Sequence, residues 1–392
     1  MSNFLFVANA ALGQGLSGSD RIFIELARRW QNSGHSVSIA VWEEGYAMCQ
    51  REQLTNVHFQ KWFLHSLSHL PFLMNYFLRI VSGIFYALSS SYPKLNAPQS
   101  YIYACSDFWQ DALPAVVLKI RYPQAKLIGS FYLTAPNPFV GFYEGRRFQL
   151  PSIKAMLYWL QQQPIKYLLH HFADIVFVTS DPDAKKFKHT VVVRGGVVLD
   201  AAKKYSPTFS TANKKYDAVF LGRFHPQKGV LELLDIWQKV VSQKPDAQLI
   251  MLGDGPLMEN AKLKITQLNL TNNITLKGFI FDGDEKYQIF QQSKIVVHPA
   301  VYDSGGMAAA EAMAWGIPGV SFDLEALKTY YPKGMLKVPF ADHVGFSQTI
   351  LSLLEDHQLY HQQAVTAREL ALDFWDWDKR AAQILKELQD VT

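Results

Sequence analysis

Cysteine is scarce. Cys49 and Cys105 are the two thiols in 392 residues, with no metal-type spacing and no disulfide framework. They read as buried free thiols in a reducing compartment, and no His/Cys cluster points to a metal. Charge is thin as well. Asp, Glu, Lys and Arg make up 18% of the chain against 49% hydrophobic residues, which describes a packed globular protein and excludes a disordered one. No basic leader precedes the strand-like Phe4–Ala8, so no secretory signal is expected. Internal repeats are missing. The longest apolar run, Leu70–Leu88, approaches the length of a spanning helix. However, Arg79 at its centre costs roughly 2.5 kcal/mol or more in lipid, and Pro71 breaks its start. The run is left as a buried helix pair or as a segment lying in a membrane interface.

What is present suggests two domains, since 392 residues exceed the size at which one core keeps growing. Strand-like segments at Phe4–Ala8, Val37–Val41, Tyr101–Ala104, Lys126–Phe131, Asp174–Thr179 and Val191–Val193 alternate with helical ones. In the helix predicted near Asp20–Gln31, Ile22, Leu26 and Trp30 share one face. The second half repeats the plan with Ala218–Leu221, Leu249–Leu252, Ile274–Leu276, Ile295–Val297 and Gly319–Phe322. Alternation of this kind implies parallel sheets wrapped by helices, an α/β class. The polar stretch Tyr205–Lys215 reads as the linker. Residues 1–200 carry 18 Lys+Arg against 12 Asp+Glu (+6), and the remainder 20 against 22 (−2). A mildly basic first half suits an anionic surface and is far too weak to argue nucleic acid.

The most informative stretch runs from Val301 to Pro318. Asp303 and Glu311 stand eight residues apart around Gly305-Gly306 and a run of helix formers, Met307–Trp315, which Gly316 and Pro318 stop. A strand, a loop with a glycine pair and a helix start offer backbone N–H groups to an anion, and glycine admits a ligand close to the backbone. Two carboxylates flanking such a centre suit an elongated polyhydroxylated ligand with a diphosphate in its middle: a nucleotide sugar. Upstream, Arg223 and Lys228 follow a strand end in a loop with Gly222, Pro226 and Gly229. Two fixed cations there can neutralise a departing diphosphate, one as a planar fork and one as a point charge.

These segments resemble the retaining GT-B glycosyltransferases, especially family 4 (glycosyl transferases group 1). In that family a Glu-x7-Glu pair occupies the positions of Asp303 and Glu311, and an arginine–lysine pair like Arg223 and Lys228 grips the donor diphosphate. Val193–Asp200 looks like the turn closing the family's N-terminal domain. The resemblance implies two Rossmann-like domains facing a cleft, here 1–205 for the acceptor and 206–372 for the nucleotide sugar, with 373–392 as a last helix crossing back. It assigns the ribose to Glu311, the donor sugar to Asp303 and the diphosphate to Arg223 and Lys228, aided by N–H groups at Gly306-Met307. Ser304 and Gly305 complete that loop. Gly222, Gly253 (in Gly253–Pro256), Gly278 and Phe279 border the nucleotide, and Gly15 and Gly18 reach over the phosphates. The implied activity is metal-independent transfer, with retention, from a UDP- or GDP-linked sugar to a glycan or lipid-linked acceptor. It would take place in cell-envelope glycan synthesis, in the cytoplasm or on the inner face of the membrane, with no cofactor.

One departure concerns the acceptor side. Many members carry a histidine after a central strand of the N-terminal domain, whereas this chain has Gly129–Thr134 there, without one. Asp107 or Tyr132 would take part of that role. Other signals compete. Gly13-Gln-Gly15-Leu-Ser-Gly18 matches G-x-G-x-x-G, with Glu43 or Glu44 as the ribose acid of a dehydrogenase. Yet the first glycine comes late after the strand, and the interval to Glu43 is long. Asp181–Asp183, Asp282–Asp284 and Asp376–Asp378 fit D-x-D, and three unrelated contexts argue for chance. His298 is as consistent with a satisfied core histidine as with a donor contact. The alternatives are a sugar-nucleotide epimerase of the same fold and a catalytically weakened sugar-nucleotide-binding or membrane scaffold subunit. The aromatic-basic stretch Phe139–Phe148, with Arg146 and Arg147, adds to the expectation of an anionic membrane surface.

Overall fold

The computed structural model describes residues 1–11, 16–63, 70–141 and 150–390. Two compact units emerge. One holds Met1–Phe139, Leu150–Gly195 and Trp377–Thr392, and the other holds Gly196–Asp376. The first carries a seven-stranded parallel sheet of β1 (Asn3–Ala8), β2 (Ser36–Val41), β3 (His58–Lys61), β4 (Ser100–Ala104), β5 (Lys126–Phe131), β6 (Ile175–Val178) and β7 (Thr190–Val192), in the order β3-β2-β1-β4-β5-β6-β7. The second has six parallel strands: β8 (Tyr216–Leu221), β9 (Leu249–Leu252), β10 (Ile274–Gly278), β11 (Ser293–His298), β12 (Gly319–Phe322) and β13 (Met335–Val338), in the order β10-β9-β8-β11-β12-β13.

The buried strands match their apolar runs, because a parallel sheet covered on both faces needs continuous hydrophobic sequence. β3 and β13 escape sequence reading. Both are edge strands, and their residues His58-Phe-Gln-Lys61 and Met335-Leu-Lys-Val338 mix charge with apolar side chains because one side faces no neighbour. The helix Gly18–Asn32 begins on a capping box of Ser17 and Asp20, and it buries Ile22, Leu26 and Trp30 as its periodicity predicts. Cys49 and Cys105 are free and buried, and burial pushes the Cys49 thiol up to about 12.

The division between units falls at Gly195/Gly196 instead of 205/206, for a local reason. Val197 N–H donates to Trp375 O at 2.8 Å, Lys203 pairs with Asp376 at 2.8 Å, and Arg368 donates to the Ala202 and Tyr205 carbonyls. The segment 197–205 is thereby tied to the second unit. The last helix, Trp377–Asp390, belongs to the first. Trp30 Nε1 donates to Ala381 O at 3.0 Å, and Arg29 pairs with Asp378 at 2.7 Å.

In each sheet the chain winds outward one way and then restarts beside its first strand. The switch points lie between β1 and β4 and between β8 and β11. In open parallel sheets, crevices for ligands open beyond the carboxyl ends of the strands at such points.

Candidate functional site

The loops leaving β8 and β11 flank the second switch point, and they carry Arg223, Lys228, Asp303 and the 304–306 turn. Backbone bonds hold the two loops together. Gln227 O accepts from Val301 N–H (2.9 Å) and Tyr302 N–H (3.2 Å). Gly229 makes this approach feasible. It adopts φ +65°, and a Cβ there would stand 1.8 Å from the Pro299 carbonyl oxygen. Neighbouring loops are laced in the same way: Gly222 N–H bonds Leu252 O at 3.0 Å, and Gly253 N–H bonds Gly278 O at 2.8 Å. The structure thus brings Gly222, Gly253 and Gly278 together at adjacent strand ends.

Asp303 is 6% exposed and heavily engaged. Its Oδ2 lies 2.7 Å from Lys228 Nζ and 2.9 Å from His298 Nε2. Its Oδ1 accepts from the N–H groups of Ser304 (2.7 Å), Gly305 (3.2 Å) and Gly306 (3.1 Å). Burial alone would raise this carboxyl, yet Lys228 and His298 together hold it well below the usual carboxylate range. The turn ends at Gly306, with φ +65° and its carbonyl bonded by Tyr331 Oη, and a helix of Met307–Met313 follows. The Gly306 N–H that sequence reading reserved for a ligand is therefore on Asp303. Arg223 is exposed, and among the described residues its guanidinium has no ion-pair partner. His225 between the two cations is pushed down, first by burial and then by Arg223 and Lys228, a local measure of the positive field.

Glu311, which the resemblance assigns to the ribose, has an ion-pair partner. Lys286, from the helix Asp284–Gln291, reaches it and also bonds Asp282 Oδ1 at 2.7 Å. Lys286 is buried. Burial would lower its ammonium, but Glu311 and Asp282 outweigh that and raise it. A search along the Glu311 helix alone could not find this partner, which lies 25 residues upstream in another element. The available signal was the i, i+4 pair Asp282/Lys286. Phe279 and Phe281, 52% and 53% exposed, stand edge to face at 4.8 Å just ahead of Asp282.

Other candidates, Tyr132, Asp107 and Gly18, belong to the first unit. Tyr132 is buried in the core of the first unit, its hydroxyl paired with that of Tyr103. Asp107 follows β4, receives Gln162 Nε2 at 2.6 Å, and burial raises its carboxyl to about 6. Gly18 opens the first helix, whereas Gly15 lies outside the described residues, as do Arg146 and Arg147. Glu44, the candidate ribose acid of a dehydrogenase, is paired with buried Arg79 at 2.7 Å. Five of the six D-x-D carboxylates face a cation: Asp181 faces Arg194, Asp183 Lys186, Asp282 Lys286, Asp376 Lys203 and Asp378 Arg29. Among the described residues no three His, Cys, Asp or Glu side chains gather to hold a metal ion, and no helix is long and apolar enough to cross a membrane.

Comparison with known proteins adds the following. Residues 203–370 match the family model described as glycosyl transferases group 1. The chain is 28% identical over 165 residues to the poly(glycerol-phosphate) alpha-glucosyltransferase of Bacillus subtilis, covering 40% of this chain and 24% of that protein. It is 28% identical over 178 residues to the phosphatidyl-myo-inositol mannosyltransferase of Mycolicibacterium smegmatis, covering 44% and 45%. The matched regions thus span about a quarter to half of these curated relatives. Among solved structures, Anabaena HepE in complex with UDP and glucose superposes with a TM-score of 0.72 at 16% identity, over 99% of this chain and 100% of that one. Sucrose-phosphate synthase from Thermosynechococcus elongatus superposes with a TM-score of 0.73 at 17% identity, over 100% and 99%. Residues 203–370, which include Arg223, Lys228, Lys286, Asp303 and Glu311, match the glycosyl transferases group 1, and the chain has the GT-B fold.

Proposed function

We propose that the protein is a retaining, metal-independent glycosyltransferase. It would move a hexose from a UDP- or GDP-linked sugar to a hydroxyl of a glycan or lipid-linked acceptor, without a cofactor. The observation that carries this reading is the convergence of Arg223, Lys228, Asp303 and the Lys286–Glu311 pair around one switch point inside a family-matched segment. Arg223 and Lys228 stabilise the charge that develops on the departing diphosphate. Glu311, paired with Lys286, accepts the ribose hydroxyls, and Asp303 accepts hydroxyls of the donor sugar. Phe279 and Phe281 border the base. In the transfer step the C1–O bond to the diphosphate breaks and the acceptor oxygen bonds C1 on the same face. The acceptor proton passes to a departing phosphate oxygen. The relatives named as glucosyl- and mannosyltransferases, and the UDP- and glucose-bound neighbour, support this class of donor.

Calorimetric titration of UDP and GDP tests the nucleotide site. Glu311→Gln should weaken whichever nucleotide binds by about tenfold, a loss of one charge-assisted hydrogen bond. Unchanged affinity in that variant removes Glu311 from the site. Incubation with donor alone separates transfer from epimerisation, since only an epimerase yields the epimeric sugar, whereas a transferase gives at most hydrolysis to the original sugar.

The acceptor is proposed to be membrane-associated, with the protein attached peripherally to an anionic leaflet at the inner face. The helix Phe72–Ser89 turns Leu73, Met74, Phe77, Val81, Phe85 and Leu88 outward, while its single charged residue, Arg79, is buried. The helix Ile153–Phe172 adds exposed Ile153, Leu157, Leu160 and Tyr167. Apolar stripes within a basic first half fit interfacial attachment. Co-sedimentation that requires anionic vesicles and falls with salt is the expected result. No sedimentation at low salt would overturn it.

A further inference from the structure

Asp303 occupies the groups that ought to receive a donor. Five N–H donors converge on it: the ammonium of Lys228, the imidazole of His298 and three successive backbone amides. A carboxylate offers about four lone-pair sites, so neither oxygen has a free direction for a sugar hydroxyl. Lys228, in turn, is held by a buried carboxylate while exposed Arg223 stands open to solvent. Sugar recognition and diphosphate recognition therefore compete for one ion pair.

We propose that Asp303 is an internal counter-anion that holds Lys228 and the 304–306 turn in the free protein, and that hydroxyls of the donor sugar are what release it. This rests on the reading of the site as a nucleotide-sugar site. A diphosphate that draws Lys228 away leaves a buried carboxylate short of its cation, which is costly unless new donors arrive. A nucleotide sugar brings the O–H donors of its hexose beyond the diphosphate, and a free nucleoside diphosphate has only its ribose hydroxyls, which this reading gives to Glu311. The site thus favours the intact donor over the product nucleotide, and product release is assisted by the return of Lys228 to Asp303. His298 is a positioning residue here, since it keeps Oδ2 fixed while Lys228 moves.

Side-chain length is central to the device. Aspartate folds back onto the N–H groups one to three residues ahead, the geometry of an Asx turn. Glutamate, which the family carries at this position, is one methylene longer and is not suited to that closure. The Asp303 departure then becomes a functional feature of this chain instead of a weakened copy of the family pattern.

The experiment is calorimetric titration of UDP, GDP and their hexose conjugates against the full chain and two variants. Wild type should bind a nucleotide hexose at least tenfold more tightly than its free nucleotide. Asp303→Asn removes the charge and should tighten the free nucleotide by about tenfold while abolishing the preference for the sugar-bearing form. Asp303→Ser keeps an oxygen for the turn and covers the case in which the first variant fails to fold, with the same expectation. Free nucleotide bound no more tightly in a folded Asp303 variant overturns the device, and leaves the donor site intact if Glu311→Gln still weakens binding. No binding of any nucleotide or conjugate to wild type overturns both.

Discussion

The two switch points share a topology and differ in what fills them. At β8/β11 the charged groups come from loops and from the helices Asp284–Gln291 and Met307–Met313, pair with one another and leave Arg223 exposed. At β1/β4 the polar groups are turned inward. Arg79, 2% exposed, bonds the carbonyls of Asn9 (3.2 Å) and Ala11 (3.1 Å), the Asn75 side chain (2.6 Å) and Glu44. Asp111 accepts from Ala10 N–H (2.8 Å) and Ser106 Oγ (2.5 Å). A switch point is thus an opportunity for a ligand and not a guarantee of one. A sheet end plugged by its own hydrogen-bond network spends its charge on stability, and one with an exposed arginine beside ion-paired lysines keeps charge available for chemistry.

The contrast can be broken most directly at Arg79. Arg79→Met strips four partners of a buried cation and should cost about 3–5 kcal/mol in urea denaturation, the scale of a broken buried pair. Nucleotide binding should hold wherever the variant remains folded. A loss under about 1 kcal/mol would show that the plug carries little.

The second test sets Arg223→Ala beside Lys228→Ala. Each should lower kcat/KM by roughly 10²–10³, as when one preorganised charge-stabilising group is lost. Their stabilities should diverge. Exposed Arg223 can go without a change in Tm, whereas removing Lys228 strands the buried Asp303 carboxylate and should cost about 1–3 kcal/mol. Equal Tm values for the two variants would erase the distinction between the open and the committed cation.

The smallest effect concerns pH. Burial raises the Asp111 carboxyl to about 7, with Ser106 and the Ala10 amide only partly offsetting it. An unfolded aspartate titrates near 3.9, so between about pH 4 and 7 the native state holds a proton that the unfolded state has lost. This group's stabilising contribution is complete below that window and is lost as pH rises through 7. Asp107, raised to about 6, acts with the same sign over a narrower range. The stability of wild type minus that of Asp111→Asn should therefore fall by about 2–3 kcal/mol from pH 4 to 7, measured by denaturation at a series of pH values. A flat difference would place Asp111 among the ordinary carboxylates.

Much of this was legible along the chain because it depends on neighbours in sequence. Buried parallel strands announce themselves as apolar runs, and Ile22, Leu26 and Trp30 share a face through a local repeat. The loop positions of Arg223, Lys228 and Asp303 follow from glycines and strand ends beside them. Tertiary structure alone decided which charges meet. Lys286 reaches Glu311 from another helix, His298 and Lys228 close on Asp303, and Arg79 leaves the middle of an apolar run to plug β1. Tyr132, an acceptor-side candidate in the sequence, pairs its hydroxyl with that of Tyr103. The physical reason is range. Propensity and periodicity act over a few residues, whereas the fate of a buried charge is settled by whichever opposite charge the fold brings within about 3 Å, however distant it is along the chain.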